Sequence, residues 1–339
     1  MSDVAQLAGV SKATVSLVMS GRASSGGIRI SEQTRQKVVA AAEQLGYNVN
    51  VIARSMSSQR TRTLGLVTYD FGEHGPAIIL GSAQNVARAH GYYLMVSSIE
   101  GEVSAIAEQI SRLDSWRVDG IFIAVAAGGD WYRNLVDHLQ LHIPVVWLEG
   151  AALAPNLNSV GVDNVRGGEL AAEHLLALGH QRIGLISGPR EWLATQQRER
   201  GWRQALARAG IEPNGNVAAS ADWATGGGYE AAQRLLDLYP GLTALVAQND
   251  HLAVGALRAL RERGLRVPED VSVIGYDDMA VSAYLEPPLT TVRQDLAEVG
   301  RVAIRLLIEA SEDPGLSRQI TVTPQLIVRQ STAPPRLSQ

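Results

Sequence analysis

Polar and aromatic side chains stand directly after several apolar runs of this 339-residue chain. Tyr69 closes LGLVTY and Asp70 follows it, Glu149 follows VVWL, Asn249 and Asp250 follow TALVAQ, and Asp277 and Asp278 follow VSVIGY. If these runs are strands, the polar residues lie beyond their carboxyl ends, where open α/β sheets bind ligands. Arg198, three residues before Gly201-Trp202, and Trp223, in ADWATGGGYEAA, add a cation and an aromatic plane. Carboxylates, an amide and a guanidinium around an aromatic plane suit a sugar, whose hydroxyls donate and accept along an apolar ring face. Simpler roles stand beside this one. Asp250 and Asp278 suit helix capping, Trp223 suits a core, and Arg198 suits an ordinary helix surface. Catalysis lacks a signature: there is no Ser–His–acid set with a nucleophile elbow and no phosphate loop, and His74, His90, His138, His142, His174, His180 and His251 show no HExxH spacing. His180, in LGHQRIG, reads as a helix-end residue. No catalytic residue, metal or cofactor is therefore expected.

The elements that must position these residues alternate. LGLVTY, YYLMVSS, DGIFIAV and IPVVWL read as strands, with helices near 76–90, 103–115 and 131–140 between them. The scheme repeats with RIGLISG, NVAAS, TALVAQ and VSVIGYD and with helices near 163–179, 195–209, 225–238 and 250–263. Such alternation implies parallel sheets covered on both faces, and two series imply two α/β lobes. The length exceeds what one core usually serves, and 46% apolar with 19% charged residues is a globular balance. No apolar run reaches the roughly 18 residues of a membrane span, and no secretory signal is read at the start. The absence of cysteine excludes disulfides and thiolate metal sites and fits a reducing cytoplasm.

The first sixty residues differ in kind. Ser2 is expected to cap a helix over Asp3–Ala8, with Val4, Leu7 and Ala8 inward, and Gly9 ends it. Val10 plugs the corner. Ser11 caps a second helix, Lys12–Met19, with Val15 and Val18 inward, and Gly21 stops it. Ser31 caps a third, Glu32 to about Leu45, with Val38, Val39, Ala42 and Leu45 inward, and Gly46 closes it. Two short helices across a tight turn under a third form a helix-turn-helix unit. Residues 1–62 carry a net charge of +5 and the remainder −9, the footprint of a protein that grips a polyanion with one end.

The stretches DVAQLAGVSKATVS, ISEQTRQKVVAAAEQLGYN and NVIARSM resemble the headpiece of the LacI/GalR family of transcription regulators. The resemblance implies that the second helix enters the major groove, with Lys12, Ala13 and Leu17 at base-reading positions and the hydroxyls of Ser11, Thr14 and Ser16 on phosphates. Residues 50–58 would be a hinge helix that orders on DNA, with Asn50 and Arg54 contacting groove or backbone and Met56 wedged between base steps. The body is similar to periplasmic sugar-binding proteins, so Arg198, Trp223, Glu149, Asn249 and Asp277, with Tyr69 and Asp70 opposite, would bind the effector. The departures are Leu17 where relatives often carry arginine, a longer loop over 21–30 with Arg22 and Arg29, Val49 in place of proline, and a chain that begins almost on the first helix, which leaves room for a start upstream of Met1.

The expected fold class is α/β: an all-α helix-turn-helix headpiece followed by a two-lobed, periplasmic-binding-protein-like body with parallel sheets. The expected divisions are a headpiece over 1–49, hinge and linker over 50–62, a first lobe over 63–161 plus about 293–323, a second lobe over 162–292 plus about 324–331, and a tail over 332–339. TTVRQD and QITVTP cross between lobes. The expected function is a cytoplasmic homodimeric repressor that binds near-palindromic operator DNA under control of a small effector, a sugar first, with release on binding favoured over corepression. A purine or a phosphoprotein co-effector is the alternative within the class, and a sugar receptor without a DNA role the alternative outside it. STAPPRLSQ holds no leucine heptad, so a dimer is expected rather than a zipper-linked tetramer.

Overall fold

A computed structural model of the chain describes residues 1–19, 30–47, 60–69, 74–99, 105–125, 135, 142–150, 156–212, 217–220, 222–313 and 315–336. Asp70, the loop arginines Arg22 and Arg29, the hinge residues Asn50, Arg54 and Met56, and most of the helix expected near 131–140 lie outside these residues.

The chain separates into two compact units. One is Met1–Thr63 with Arg117–Asp119; the other holds the rest. In the first, α1 (Ser2–Ala8), α2 (Lys12–Met19) and α3 (Glu32–Gln44) pack around Val4, Ala5, Val15, Val38, Ala41 and Ala42. The Ser11 and Ser31 hydroxyls accept from the Thr14 and Thr34 amides, as N-caps do. Gly9 adopts φ 65° and gives its amide to the end of α1. Three expectations fail here. Ser2 is already helical and Met1 stands at the cap, with no side-chain bond. Leu7 is exposed and Ala5 buried in its place. At about 100° per residue the buried arc runs from Val4 through Ala8 to Ala5, and Leu7 falls about 60° off its other flank. Leu45 has left the helix as its C-cap and is exposed.

The second unit contains two six-stranded sheets. The first uses β1 (Thr63–Thr68), β2 (Tyr93–Ser98), β3 (Ile121–Ala124), β4 (Val145–Leu148), β5 (Asn158–Val162) and β11 (Gln319–Val322), in the order β11-β5-β4-β3-β1-β2. The second uses β6 (Ile183–Ser187), β7 (Val217–Ala219), β8 (Ala244–Ala247), β9 (Ser272–Asp277), β10 (Thr290–Arg293) and β12 (Gln325–Ile327), in the order β12-β10-β9-β8-β6-β7. The described pairings are parallel except β10 with β12. Helices α4 (His74–Ala89), α5 (Ala105–Ser115) and α10 (Leu296–Glu312) accompany the first sheet. Helices α6 (Asn164–Ala177), α7 (Leu193–Arg208), α8 (Thr225–Leu238) and α9 (Asp250–Glu262) accompany the second. The chain therefore passes between sheets three times: after β5, after β10 and after β11. Strand β5 was not anticipated. NSVGV is short, half polar and set among turn-forming residues, and its pairing with β4 and β11 decides it.

Each lobe has its own aliphatic core. Leu64, Leu66, Phe122, Val146, Ile304 and Leu307 centre the first. Leu235, Leu245, Leu260 and Val273 fill one face of the second sheet, and Leu175, Leu185, Trp202 and Ile274 the other. On that last face α6 and α7 touch backbone to backbone. A Cβ on Gly168 would lie 2.1 Å from the Arg198 carbonyl oxygen, and one on Gly201 1.9 Å from that of Val165. This contact sets the depth of α7 and so of Arg198.

Candidate effector cavity and headpiece face

The carboxyl ends of both sheets enclose a cavity of about 290 Å³. That is near the lower end of the range for small-molecule sites. Of the seven effector residues expected from the sequence, Tyr69, Glu149, Arg198, Trp223, Asn249 and Asp277 all line it, and Asp70 lies outside the described residues.

Arg198 is only 7% exposed, and no described carboxylate lies within ion-pair distance of it. It donates from Nε to Asn164 Oδ1 at 2.9 Å and from Nη1 to the Gln248 carbonyl at 2.5 Å. Its guanidinium carbon sits 3.8 Å from the Tyr276 ring centroid and 5.8 Å from that of Trp223. Burial pushes the Tyr276 hydroxyl up to about 12, so that ring stays neutral. A buried cation is thus held by neutral acceptors and ring faces, a wall able to donate to a ligand oxygen.

Trp223 meets Trp192 edge-on at 6.2 Å, and Trp192 meets Tyr69 at 5.0 Å with a 40° tilt. The aromatic wall therefore runs from one lobe to the other. Burial also pushes Tyr69 up to about 12. Asp277 accepts from Gln294 Nε2 at 2.5 Å, and its φ of 111° is strained for a residue with a side chain.

Glu149 takes φ 58°. Its Oε1 accepts from the Val162 amide at 2.9 Å and from Asn164 Nδ2 at 3.2 Å. Burial pushes this carboxyl up to about 7 against the Val162 bond and the Arg198 charge, which pull the other way.

The structure revises three expected roles. Asn249, not Asp250, caps α9: its Oδ1 accepts from the Leu252 amide at 2.7 Å, and its Nδ2 donates to the Trp223 carbonyl at 2.9 Å. Asp250 is fully buried and ties distant loops, accepting from Ser282 Oγ, Thr291 Oγ1 and the Met279 amide. Asp278 caps nothing and pairs with Arg293 and Arg329, both at 2.6 Å. His180 does follow α6, but it is a buried anchor bonded to Thr243, Ser272 and the Ala333 carbonyl. Asn164, Trp192 and Gln294 line the cavity and were missed. Gln294 follows strand β10 as Asn249 follows the run TALVAQ and Asp277 the run VSVIGY, so the same sequence signal marks it.

On the headpiece, α2 presents Lys12, Ala13 and Ser16 as exposed residues near its start, with Leu17 half-buried. The Ser11 and Thr14 hydroxyls bond each other at 2.9 Å.

Residues 1–50 match the model for bacterial regulatory proteins of the lacI family, and residues 172–332 match the periplasmic binding protein-like domain. The chain belongs to the lacI family. It is 33% identical over 339 residues to the HTH-type transcriptional repressor PurR of Haemophilus influenzae strain ATCC 51907, covering 98% of each chain. It is 33% identical over 334 residues to the lactose operon repressor of Escherichia coli K12, covering 98% of this chain and 90% of that one. A lac repressor dimer bound to operator and the anti-inducer ONPF superposes with a TM-score of 0.85 at 32% identity, covering 98% of each chain. The regulator CelR in complex with cellobiose gives 0.73 at 31%, covering 97% of this chain and 98% of that one. This lacI-family chain is a DNA-binding transcription regulator with a ligand-binding body, not an enzyme. Among its described residues no helix is long and apolar enough to cross a membrane.

Proposed function

We propose that this regulator is a sugar-responsive repressor acting in the cytoplasm as a homodimer on near-palindromic operator DNA. One observation carries the sugar reading: a small cavity whose aromatic wall of Tyr69, Trp192 and Trp223 stands beside Arg198, Asp277 and Glu149. Flat apolar faces beside fixed donors and acceptors match the two surfaces of a pyranose or furanose. That CelR holds cellobiose in a body of this fold supports the reading. Asn249 contributes by holding Trp223 as well as by facing the cavity, and Asp70 is assigned to the same site.

On DNA, Lys12 donates to a base edge, Ala13 and Leu17 make apolar contacts, and Ser11, Thr14 and Ser16 meet phosphates. Asn50, Arg54 and Met56 act in the hinge over 50–62 that joins a headpiece over 1–49 to the two lobes. The effector releases DNA through its preference for one lobe angle.

A melting-temperature screen of mono- and disaccharides, with purine bases as the competing class, tests the effector. Stabilisation by a base and by no sugar overturns the sugar reading. Operator affinity should fall steeply with salt. Lys12→Ala should cost about 1–3 kcal/mol at one base pair of each half-site, and a uniform loss across sequences would reassign Lys12 to phosphate.

A further inference from the structure

Gln248, the last residue of the run TALVAQ, ties together the supports of the second wall without itself lining the cavity. Its side chain is buried. Oε1 accepts from the Gly188 amide at 3.1 Å, and Nε2 donates to the Thr195 carbonyl at 3.1 Å. Its main-chain carbonyl accepts from Arg198 Nη1. Gly188 follows β6 and is the seat of the Trp223 ring: a Cβ at that position would lie 2.3 Å from Cη2 and 2.4 Å from Cζ3. Thr195 stands in the first turn of α7, just after Trp192 at its N-cap, whose ring meets Trp223 edge-on. The Ser187 and Thr195 hydroxyls, on the same two segments, are buried without a hydrogen-bond partner among the described residues, so they add no further tie. A side-chain amide suits this place because it accepts and donates at one end. An apolar residue would leave the buried Gly188 amide unpaired.

We propose that Gln248 is a positioning residue for effector recognition: its amide holds the seat of Trp223 and the first turn of α7 in one register, so that Trp192, Trp223 and Arg198 meet the ligand as a preformed wall. The proposal rests on the sugar reading above. Asn249 holds the main chain of Trp223 through its carbonyl, but the place of the ring depends on Gly188 beneath it. The loop that carries Gly188 and the helix that carries Trp192 and Arg198 are separate segments, and the Gln248 amide bonds one with each end. Shifting either segment would tilt the indole rings against each other and move the guanidinium away from the Gln248 carbonyl. A wall assembled in advance spares the ligand the cost of ordering these side chains on binding.

Near-UV circular dichroism of the full-length protein tests this without a ligand. The signal of the Trp192–Trp223 pair is the component that both Trp192→Leu and Trp223→Phe remove. Gln248→Met, which keeps the length of the side chain and makes neither bond, should lose most of that component. Gln248→Asn, which keeps an amide too short to reach both segments, should lose it as well. The far-UV spectrum shows which variants are folded, and a loss of stability alone would leave the component in place below the melting transition. A parent without the component, or a component unchanged in a folded Gln248 variant, overturns the proposal. The sugars of the screen, ribose and cellobiose first, are then added. A sugar that raises the melting temperature of the parent should bind Gln248→Met about tenfold more weakly. That loss should shrink when Trp223 is already phenylalanine, because the two residues act through one contact. An unchanged affinity, or an equal loss in both backgrounds, overturns the positioning role. If no sugar raises the melting temperature, the sugar reading fails, while the ligand-free spectra still decide the wall.

Discussion

The two walls of the cavity are built on different principles. The first lobe offers mainly apolar groups, Pro76, Ile79, Ile99, Ala124 and Leu148, with one aromatic, Tyr69, and one carboxyl, Glu149. The second offers Asn164, Arg198, Asn249 and Asp277, with two tryptophans. Fixed polar groups give orientation and selectivity, whereas an apolar wall excludes water and rewards closure. The second wall is also the more constrained. Asp277 is strained, Arg198 is buried on neutral partners, and the contact of α6 with α7 tolerates only glycine at 168 and 201. On the proposed sugar reading, the second lobe would serve recognition and the first closure.

Arg198→Ala tests that assignment with the largest expected effect. It removes a buried charge-assisted donor, a loss of about 2–5 kcal/mol, and calorimetry should find the effector affinity down at least thirtyfold with ligand-free operator binding intact. A retained response would take Arg198 out of the site. Glu149→Gln asks whether the first wall hides one electrostatic element. Burial raises its carboxyl to about 7, so the folded chain holds a proton there that the unfolded chain has already released. Its stability contribution is therefore lost as pH climbs from the ordinary glutamate range through about 7. Parent and variant should melt alike near pH 4, and above 7 the variant should be more stable, on the order of 2 kcal/mol. Equal pH slopes would show that Glu149 titrates normally.

Trp192 bridges the walls through its contacts with Tyr69 and Trp223. Trp192→Leu forfeits about 0.5–1.5 kcal/mol per aromatic pair, and effector affinity should drop roughly tenfold. A drop as large as that of Arg198→Ala would dissolve the division between walls. Ile79→Val on the first wall should do least. Denaturant unfolding should register about 0.5–1.5 kcal/mol, with effector affinity near that of the parent. A selective loss of affinity would make the apolar wall a recognition surface.

Much of the fold was legible because its signals are short-ranged. Strand–helix alternation marks each lobe, and polar residues after apolar strands mark the cavity, as Tyr69, Glu149 and Asp277 show. The signal failed where a residue's role depends on what lies opposite. Asn249 and Asp250 are adjacent and both suit a cap. The choice between them follows from Ser282 and Thr291, which claim Asp250 from 32 and 41 residues away. Trp192 gave no local hint of Tyr69 across the cleft. Asn164 read as part of a helix start, although its amide joins Glu149 to Arg198.

By itself, then, the sequence determined the class of machine: a capped three-helix reader, a basic end on an acidic body, and two α/β lobes with polar strand ends. The caps are decided by residues three apart, Ser11 with Thr14 and Ser31 with Thr34, and the charge and alternation by composition and order along the chain. Tertiary structure alone decided the chemistry of the cavity. A buried guanidinium without a described counter-ion, a carboxyl raised to about 7 and a seat emptied of one Cβ all arise from desolvation and close approach between distant segments. Burial is a property of the whole packed chain, and no local stretch of residues encodes it.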